Sequence, residues 1–264
     1  MADPAVRLTI LGSGTSMGVP LIGCSCRVCI SDDPRNTRRR CAIHLESEGH
    51  HLQIDTPPDF RDQVLRFGVK RIDTVLLTHA HADHIFGFDD LRRFGDMSGR
   101  AIPVWSDAKT LDEMRQKFPY VREQARESDA LHVPRVRWCE LPAGESAFGP
   151  FRVLPVPVPH GDDTVLGFLI NVGGVTIGYF PDCSDLPADV LARLRGIDLL
   201  LLNTLRHHPH PKHLHLERSL QLLAQAGARE TYLTHLSHDF DHAETDASLP
   251  PGIHLAHDGL VLEF

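Results

Sequence analysis

The stretch H-A-H-A-D-H, residues 79–84, is the most informative part of this chain. It places three imidazoles and one carboxylate within six residues, directly after an apolar run. A hydrophobic core gains nothing from so many titratable groups, whereas imidazole and carboxylate are suitable ligands for zinc, iron or manganese. His79 and His81 share a face of an extended segment, and Asp83 and His84 follow the start of a turn. The spacing therefore predicts two metal ions rather than one.

The length and composition are ordinary for a globular chain. Its 264 residues can form one large α/β domain or two small ones, and the hydrophobic share of 42% is enough for a full core. A net charge of −8 argues against a nucleic-acid partner. Met1–Pro4 shows no basic flank or apolar segment, and the apolar run 197–202 is too short to span a bilayer. We therefore expect a cytoplasmic protein without a membrane partner; a homodimer is compatible with the sequence.

The six cysteines are unevenly spread. Three of them form a C-x-C-x-x-C element at Cys24, Cys26 and Cys29. Without an export signal, reduced thiols or metal ligands are expected rather than a disulfide framework. Three thiolates could hold a structural zinc if a fourth ligand were supplied, and the alternative is three free thiols in a loop.

Strand and helix patterns alternate along the chain. Strands are predicted at 6–11, 41–46, 51–55, 72–77, 102–105, 153–158, 165–172, 175–180, 198–202 and 231–234. Helices are predicted at 59–67, 82–94, 107–117 and 216–226. The prolines of 153–158 favour an edge strand, and Asp107 is a candidate N-cap. Because no low-complexity linker interrupts the pattern, we predict a single domain over 1–264.

Four of these strands are each followed by a residue of metal-ligand type. His79, His160, Asp182 and His235 come at or just after predicted strand ends. Loops at the rim of a sheet are a natural place for a site that is held by a rigid scaffold. One such residue alone would be weak evidence, but four of them together with the H-x-H-x-D-H motif predict a metal centre at one edge of the sheets.

The motif T-H-A-H-A-D-H (78–84) resembles the signature of the metallo-β-lactamase superfamily. Further elements resemble its branch of phosphoribosyl 1,2-cyclic phosphate phosphodiesterases, namely G-S-G-T-S (12–16), G-C-x-C-x-x-C (23–29), I-F-G-F-D-D-L-R (85–92) and T-H-L-S-H (234–238). The resemblance extends over nearly the whole chain. It implies an α/β fold, the four-layer αββα sandwich, with the site at one edge of the two sheets.

The resemblance also implies the ligands. Two catalytic ions would be held by seven side chains, which are His79, His81 and His160 for the first, Asp83, His84 and His235 for the second, and Asp182 bridging both. His238 would complete a structural zinc site with the cysteine loop at about 23–30. Asp55 would orient the metal histidines from behind, although it could equally open the turn 56–58.

A proton donor for the leaving oxygen is expected in 206–215, which contains five histidines. The family pattern points to His213 as this donor. His215 is the alternative donor, or it could cap the following helix, and Asp83 is a second candidate catalytic residue. Relatives often carry a small hydroxyl residue where His215 stands, which leaves the choice between 213 and 215 open. The basic run 38–40 either faces solvent or attracts a phosphate.

These features predict a binuclear zinc, manganese or iron phosphodiesterase. It would hydrolyse a small cyclic or nucleotide-like phosphodiester through a metal-bridging hydroxide. One alternative is a tRNA 3′-processing-type nuclease, which the negative net charge and the lack of a basic insertion disfavour. Another is a non-catalytic metal-binding accessory protein of cofactor biosynthesis, although all seven expected ligands are present.

Overall fold

Two mixed seven-stranded sheets form the centre of the computed structural model, which describes residues 5–121 and 133–264. The first sheet has the order β14 (Val261–Glu263), β1 (Arg7–Gly12), β2 (Ala42–Ser47), β3 (His50–Ile54), β4 (Thr74–Leu76), β5 (Ile102–Ser106) and β6 (Val136–Glu140). The second has the order β13 (Ile253–Leu255), β12 (Glu230–Thr234), β11 (Leu199–Asn203), β10 (Val175–Phe180), β9 (Asp163–Val172), β8 (Phe151–His160) and β7 (Ser146–Phe148). The predicted domain limits 1–264 include segments 1–4 and 122–132, which lie outside the described residues.

In the described part of the chain, seven α-helices accompany the sheets. They are α1 (Phe60–Arg66), α2 (Ala82–Ile85), α3 (Leu91–Ser98), α4 (Ala108–Lys117), α5 (Ala188–Arg193), α6 (Leu216–Ala226) and α7 (His242–Ser248). Among the described residues, no helix is both long and apolar enough to cross a membrane. The predicted limits of α6 agree with the structure, and Asp107 caps α4 by accepting from Thr110 N at 2.7 Å.

Three buried clusters define the layers. Side chains of both sheets, among them Leu8 and Phe168, form the core between the sheets. Phe60 and Leu111 belong to a cluster that joins the first sheet to α1, α3 and α4. A third cluster joins the second sheet to α5 and α6. The run Leu199–Leu202 contributes alternately to two clusters, as expected of a strand buried on both faces. The predicted αββα sandwich is therefore confirmed.

Strand direction gathers the site residues at one edge. β3, β4, β5 and β6 are parallel neighbours, as are β10, β11, β12 and β13. Because β8 and β10 both pair antiparallel with β9, β8 runs in the direction of β10. The carboxyl ends of parallel strands meet at one edge of a sheet, so the residues after these strands lie together.

The predicted helix 82–94 is wrong as one element. It is divided into α2, a 3₁₀ turn at Phe88–Asp90, and α3. Gly87 separates the first two, because its N–H donates to Thr56 O at 2.9 Å instead of continuing the helix. A Cβ on Gly87 would lie 2.1 Å from Pro57 O, so only glycine permits this close approach.

The edge character predicted for 153–158 holds in part. β8 pairs with β9 along its whole length, whereas β7 reaches only from Phe151 to Val153. Pro155, Pro157 and Pro159 lie beyond the end of β7. On that side of β8 the described residues provide no partner strand, so their missing N–H groups interrupt no pairing there.

Candidate metal centre

Two buried residues of the site follow their strands with a left-handed backbone. Asp55 follows β3 with φ 62°, and His235 follows β12 with φ 58°. Non-glycine residues rarely occupy this region, and such conformations concentrate at functional sites. The local geometry turns both buried side chains to the edge where the two sheets meet the motif 79–84.

One half of the centre contains three imidazoles. His79 Nε2 lies 2.8 Å from His81 Nδ1, and His79 and His160 each place Nε2 3.6 Å from Asp182 Oδ2. The two histidines of the H-x-H motif therefore use different ring nitrogens. These four side chains form one group whose ligand atoms lie within 4.8 Å of one another.

The other half faces the second oxygen of the same carboxylate. Asp182 Oδ1 lies 3.1 Å from His235 Nε2 and 3.5 Å from His84 Nε2. Asp83 Oδ2 lies 3.5 Å from His84 Nε2 and 3.6 Å from His235 Nε2. Asp182 thus stands between two groups of ligands and presents one oxygen to each.

A hydrogen-bonded chain behind the centre orients two of the rings. His84 donates from Nδ1 to Asp55 Oδ2 at 2.8 Å, and Thr78 donates to both oxygens of Asp55 at 2.9 Å. Since its hydroxyl hydrogen is used in this way, Thr78 Oγ1 accepts from His79 Nδ1 at 3.0 Å. Both rings therefore carry hydrogen on Nδ1 and direct Nε2 at Asp182. Asp55 lies behind the histidines, as the family resemblance implies.

The electrostatics of the centre are those of buried, opposed charges. Burial lowers the pKa of His79 well below its ordinary value. Burial alone would also lower the pKa of His84, but Asp83, Asp182 and Asp55 together raise it well above that value. For Asp182, burial acts to raise the pKa, and the neighbouring histidines, His235 first, hold it well below the ordinary value.

The residues fit divalent metal ions. His84 Nε2, His235 Nε2 and Asp182 Oδ1 are buried atoms without a hydrogen-bond partner among the described residues. Buried polar atoms without partners are costly, and a cation between them would satisfy all three. The donor set of imidazoles and carboxylates is the one that zinc, manganese and iron accept.

A second cluster joins the amino-terminal loop to the loop after β12. His238 Nδ1 lies 3.4 Å from the sulfurs of Cys24 and Cys26, and 3.6 Å from that of Cys29. A tetrahedral zinc with bonds of about 2.3 Å to sulfur and 2.0 Å to nitrogen separates these atoms by about 3.5 Å. The backbone N–H of Cys29 first, and then the His238 side chain, lower the pKa of Cys26 to about 6, which favours its thiolate, whereas burial raises the pKa of Cys29 to about 11.

The three arginines of the basic run 38–40 all make contacts within the protein. Arg38 is buried and donates to Ser237 O, Phe240 O and Asn36 Oδ1 at 2.7–3.1 Å. Arg40 pairs with Asp59 at 3.0 Å, and Arg39 pairs with Asp62 and Asp258. Arg38 therefore fixes the loop that carries His238.

His213 lies beside the centre. Its ring centroid is 4.7 Å from those of both His160 and His235, and the rings of His213 and His235 are stacked. Asn203 Nδ2 donates to His213 Nδ1 at 3.4 Å, and Asn203 Oδ1 is held by the backbone N–H of Cys183. The hydrogen of the neutral ring is therefore on Nε2. Burial, and then His235, lower the pKa of His213 to about 3.

The other histidines of 206–215 lie differently. His215 occupies the N-cap position of α6, and its side chain makes no capping hydrogen bond. The ring of His207 lies 4.6 Å from that of Phe240, His208 is exposed, and His210 lies 5.1 Å from His213. Sequence reasoning missed Asn203, although one polar residue at the end of the apolar run 199–202 could have indicated it.

Comparison with known proteins identifies the family of this chain. The family model of the beta-lactamase superfamily domain matches residues 50–236, so the chain belongs to this superfamily. Its fold is the metallo-beta-lactamase fold. Within the superfamily, the chain is similar to the crystal structure of a diphosphatase from the PhnP family. That structure is 41% identical, has a TM-score of 0.88 and covers 98% of both chains.

Two further relatives extend the comparison. Zinc-bound PqqB from Methylobacterium extorquens has a TM-score of 0.80 at 21% identity, covers 98% of this chain and 100% of its own, and shows the shared fold. An octanoyltransferase of Porphyromonas gingivalis is 36% identical over 259 residues, which are 97% of this chain and 51% of that protein. The chain therefore spans about half the length of that relative.

Proposed function

We propose that this chain is a binuclear metal-dependent phosphodiesterase that acts on a small cyclic or nucleotide-like phosphodiester. The observation that carries the proposal is the position of Asp182, whose two oxygens face separate groups of ligands. His79, His81 and His160 would hold one ion, and Asp83, His84 and His235 the other. A third ion, zinc, would be held by the cysteine loop and His238 for stability alone.

Two bound divalent ions would activate water and neutralise the phosphoryl group during an in-line displacement. The protein residues supply the rest. Asp55 and Thr78 fix the rings of His84 and His79, so that their Nε2 atoms stay in place. Asp83, whose side chain is 13% exposed, is more accessible than His84 and would accept a hydrogen bond from the attacking water.

In this proposal, His213 would serve the leaving oxygen. Its Nε2–H can donate a hydrogen bond to that oxygen, because Asn203 holds the other ring nitrogen as an acceptor. The rings of His160 and His235 on either side keep it next to both groups of ligands. A substrate on the centre would therefore meet a donor without any rearrangement of the sheets.

A diphosphate is the second candidate substrate. The relative that is 41% identical is described as a diphosphatase, and the phosphorus of a diphosphate, like that of a diester, expels a bridging oxygen. The same side chains would serve both reactions. The choice between them depends on the groups that flank the phosphorus.

The decisive experiment is a substrate panel on protein with defined metal content. The chain is stripped with a chelator and reloaded with zinc, manganese or iron, and we expect about three ions per chain by mass spectrometry. The panel contains cyclic and linear phosphodiesters, diphosphates, precursor tRNA and a thioester. Asp182→Asn is the matched variant, and its turnover should fall by roughly 10³-fold because one ligand is shared by both ions.

The outcomes separate the candidates. Preferred hydrolysis of phosphodiesters that is lost in Asp182→Asn supports the proposal. Preference for diphosphates or precursor tRNA would replace it with the corresponding activity. A fully loaded protein without turnover on any substrate would indicate an accessory protein, and a single bound ion per chain would overturn the binuclear mechanism.

A further inference from the structure

A third group of metal-ligand side chains lies on the hairpin of β2 and β3. His44 and Glu46 alternate with Ile43 and Leu45, which belong to the core between the sheets, so the two polar side chains lie on the opposite face of β2. In the antiparallel register, Glu46 lies opposite His51. Directly opposed residues share a face. The pairing therefore brings two imidazoles and one carboxylate together.

The distances within this group suit a metal ion. His44 Nε2 lies 3.2 Å from His51 Nδ1, and His51 Nδ1 lies 3.9 Å from Glu46 Oε2. One ligand atom from each residue lies within 4.8 Å of the others. Two nitrogens that bind a tetrahedral zinc at about 2.0–2.1 Å are separated by about 3.3 Å. The two imidazoles are thus already at the spacing that zinc requires.

Gln53 fixes the ring of His44 for this role. Gln53 Nε2 donates to Asp55 O at 2.8 Å and Ile54 O at 3.3 Å, so its Oε1 is the atom that faces His44. His44 Nδ1 must therefore donate to Oε1, at 3.1 Å, and the lone pair of Nε2 points at His51. An outer hydrogen bond of this kind is usual behind a metal-binding histidine.

The group is open to solvent on one side. His44 is fully buried, whereas the side chains of His51 and Glu46 are 21% and 40% exposed. An ion can enter past the latter two and reach His44, with water in the remaining position. Arg7 lies opposite Glu46 in the register of β1, but its guanidinium lies 3.7 Å from Glu263 instead.

We propose that His44, Glu46 and His51 form a zinc-binding site that is separate from the two described above. In the metal-free chain His51 donates its Nδ1 hydrogen to His44. Zinc takes the place of that hydrogen, and His51 then carries its hydrogen on Nε2. Because Gln53 holds both His44 and the carbonyl of Asp55, zinc at this site also stiffens the hairpin behind the catalytic centre.

The test counts zinc on the intact holoprotein. Protein with its catalytic and structural ions in place is dialysed against buffers of graded free Zn(II), and bound zinc is measured by mass spectrometry. The variants are His51→Ala and Glu46→Gln, and Glu48→Gln in the adjoining turn is the matched control. Thermal midpoints are recorded with and without added zinc, since an ion that binds the folded state raises them.

We expect the wild type and Glu48→Gln to bind one additional zinc per chain in a saturable step, with a rise in the thermal midpoint. Glu46→Gln should weaken that step at least tenfold, and His51→Ala should abolish both effects. If His51→Ala does not fold, the partly exposed Glu46→Gln still decides the outcome.

The inference is overturned if the wild type binds no zinc beyond the content of the variants, or if all four proteins bind alike. Hydrolysis by the four proteins, measured after free zinc is removed, should be equal and reports separately on the proposed function.

Discussion

Asp55 Oδ2 accepts a hydrogen bond from His84 Nδ1 at 2.8 Å, and both side chains are buried. Asp55→Asn would replace one carboxylate oxygen with an amide NH2 group, which cannot accept a hydrogen bond. The side chain could then no longer accept all the hydrogen bonds that His84 and Thr78 donate to it. We expect the affinity for the second ion to fall by about 10–100-fold, with a parallel loss of turnover at limiting metal. Metal titration followed by rate measurement checks this. Asp62→Asn, at an exposed ion pair, should behave as the wild type, and equal metal affinity in both variants would contradict the role of Asp55.

The cysteine cluster should act on stability rather than on chemistry. Cys26→Ser removes one of three sulfurs that lie 3.4–3.6 Å from His238 Nδ1. We expect about one zinc fewer per chain and a lower thermal midpoint, while the rate per folded molecule changes little. Metal analysis and thermal unfolding check both effects, with Cys139→Ser, outside the cluster, as the control. A lost rate at unchanged stability would mean that the cysteines belong to the reaction.

Much of the fold and of the candidate site could be predicted from local sequence. The ligands of 79–84 are adjacent in the chain, and His160, Asp182 and His235 follow strands whose apolar pattern is clear. The structure brings all seven predicted catalytic ligands, and the four predicted for the structural zinc, into compact groups. Short-range patterns suffice here because the scaffold only has to end its parallel strands at one edge.

The remaining features depend on contacts between distant segments. The burial of Arg38 depends on the loop 237–240, and the group of His44, Glu46 and His51 depends on the register of one hairpin. The break after α2 has the same origin, because Gly87 meets Pro57, which is 30 positions earlier in the chain. The helical pattern over 82–94 carries no information about this contact, because Pro57 lies outside that segment.

Gly87→Ala tests that explanation. The added Cβ would lie 2.1 Å from Pro57 O and 2.6 Å from Phe60 Cβ, so backbone would have to move. We expect the free energy of unfolding to fall by about 3 kcal/mol, as in other overpacked sites. Urea unfolding measures it, and Gly144→Ala is the control, because its Cβ would meet nothing within 4 Å. Equal stability of the two variants would show that the close contact does not divide the helix.

Asp258 predicts a dependence of stability on pH. Its buried carboxyl accepts from Ser13 and Arg39, and burial raises its pKa from 3.8 to about 6. The folded chain therefore holds this proton more tightly than the unfolded chain. The associated stability is complete below pH 3.8 and is lost as the pH rises through about 6, by about 3 kcal/mol in total.

Asp258→Asn should not show this loss, although it is destabilised at all pH values by altered hydrogen bonds. Free energies of unfolding of the two proteins between pH 4 and 8 give the difference. We expect the wild type to lose about 2–3 kcal/mol relative to the variant over this range. A difference that is independent of pH would show that Asp258 ionises in the folded chain as it does in the unfolded one.

His213→Ala should separate metal binding from hydrogen-bond donation to the leaving oxygen. The ring lies against His160 and His235, and Asn203 leaves its hydrogen on Nε2, so its loss removes a donor while the seven predicted ligands remain. We expect unchanged metal content and a fall in kcat of about 10²–10⁴-fold on diesters with alkoxide leaving groups. With p-nitrophenolate, which leaves without a proton, the fall should be much smaller.

His254→Ala on β13 is the control, and His215→Ala is measured beside it. A full rate in His213→Ala together with a loss in His215→Ala would transfer the donor role to His215. If His213→Ala instead loses the same factor on both kinds of leaving group, His213 positions the substrate and does not serve the leaving oxygen.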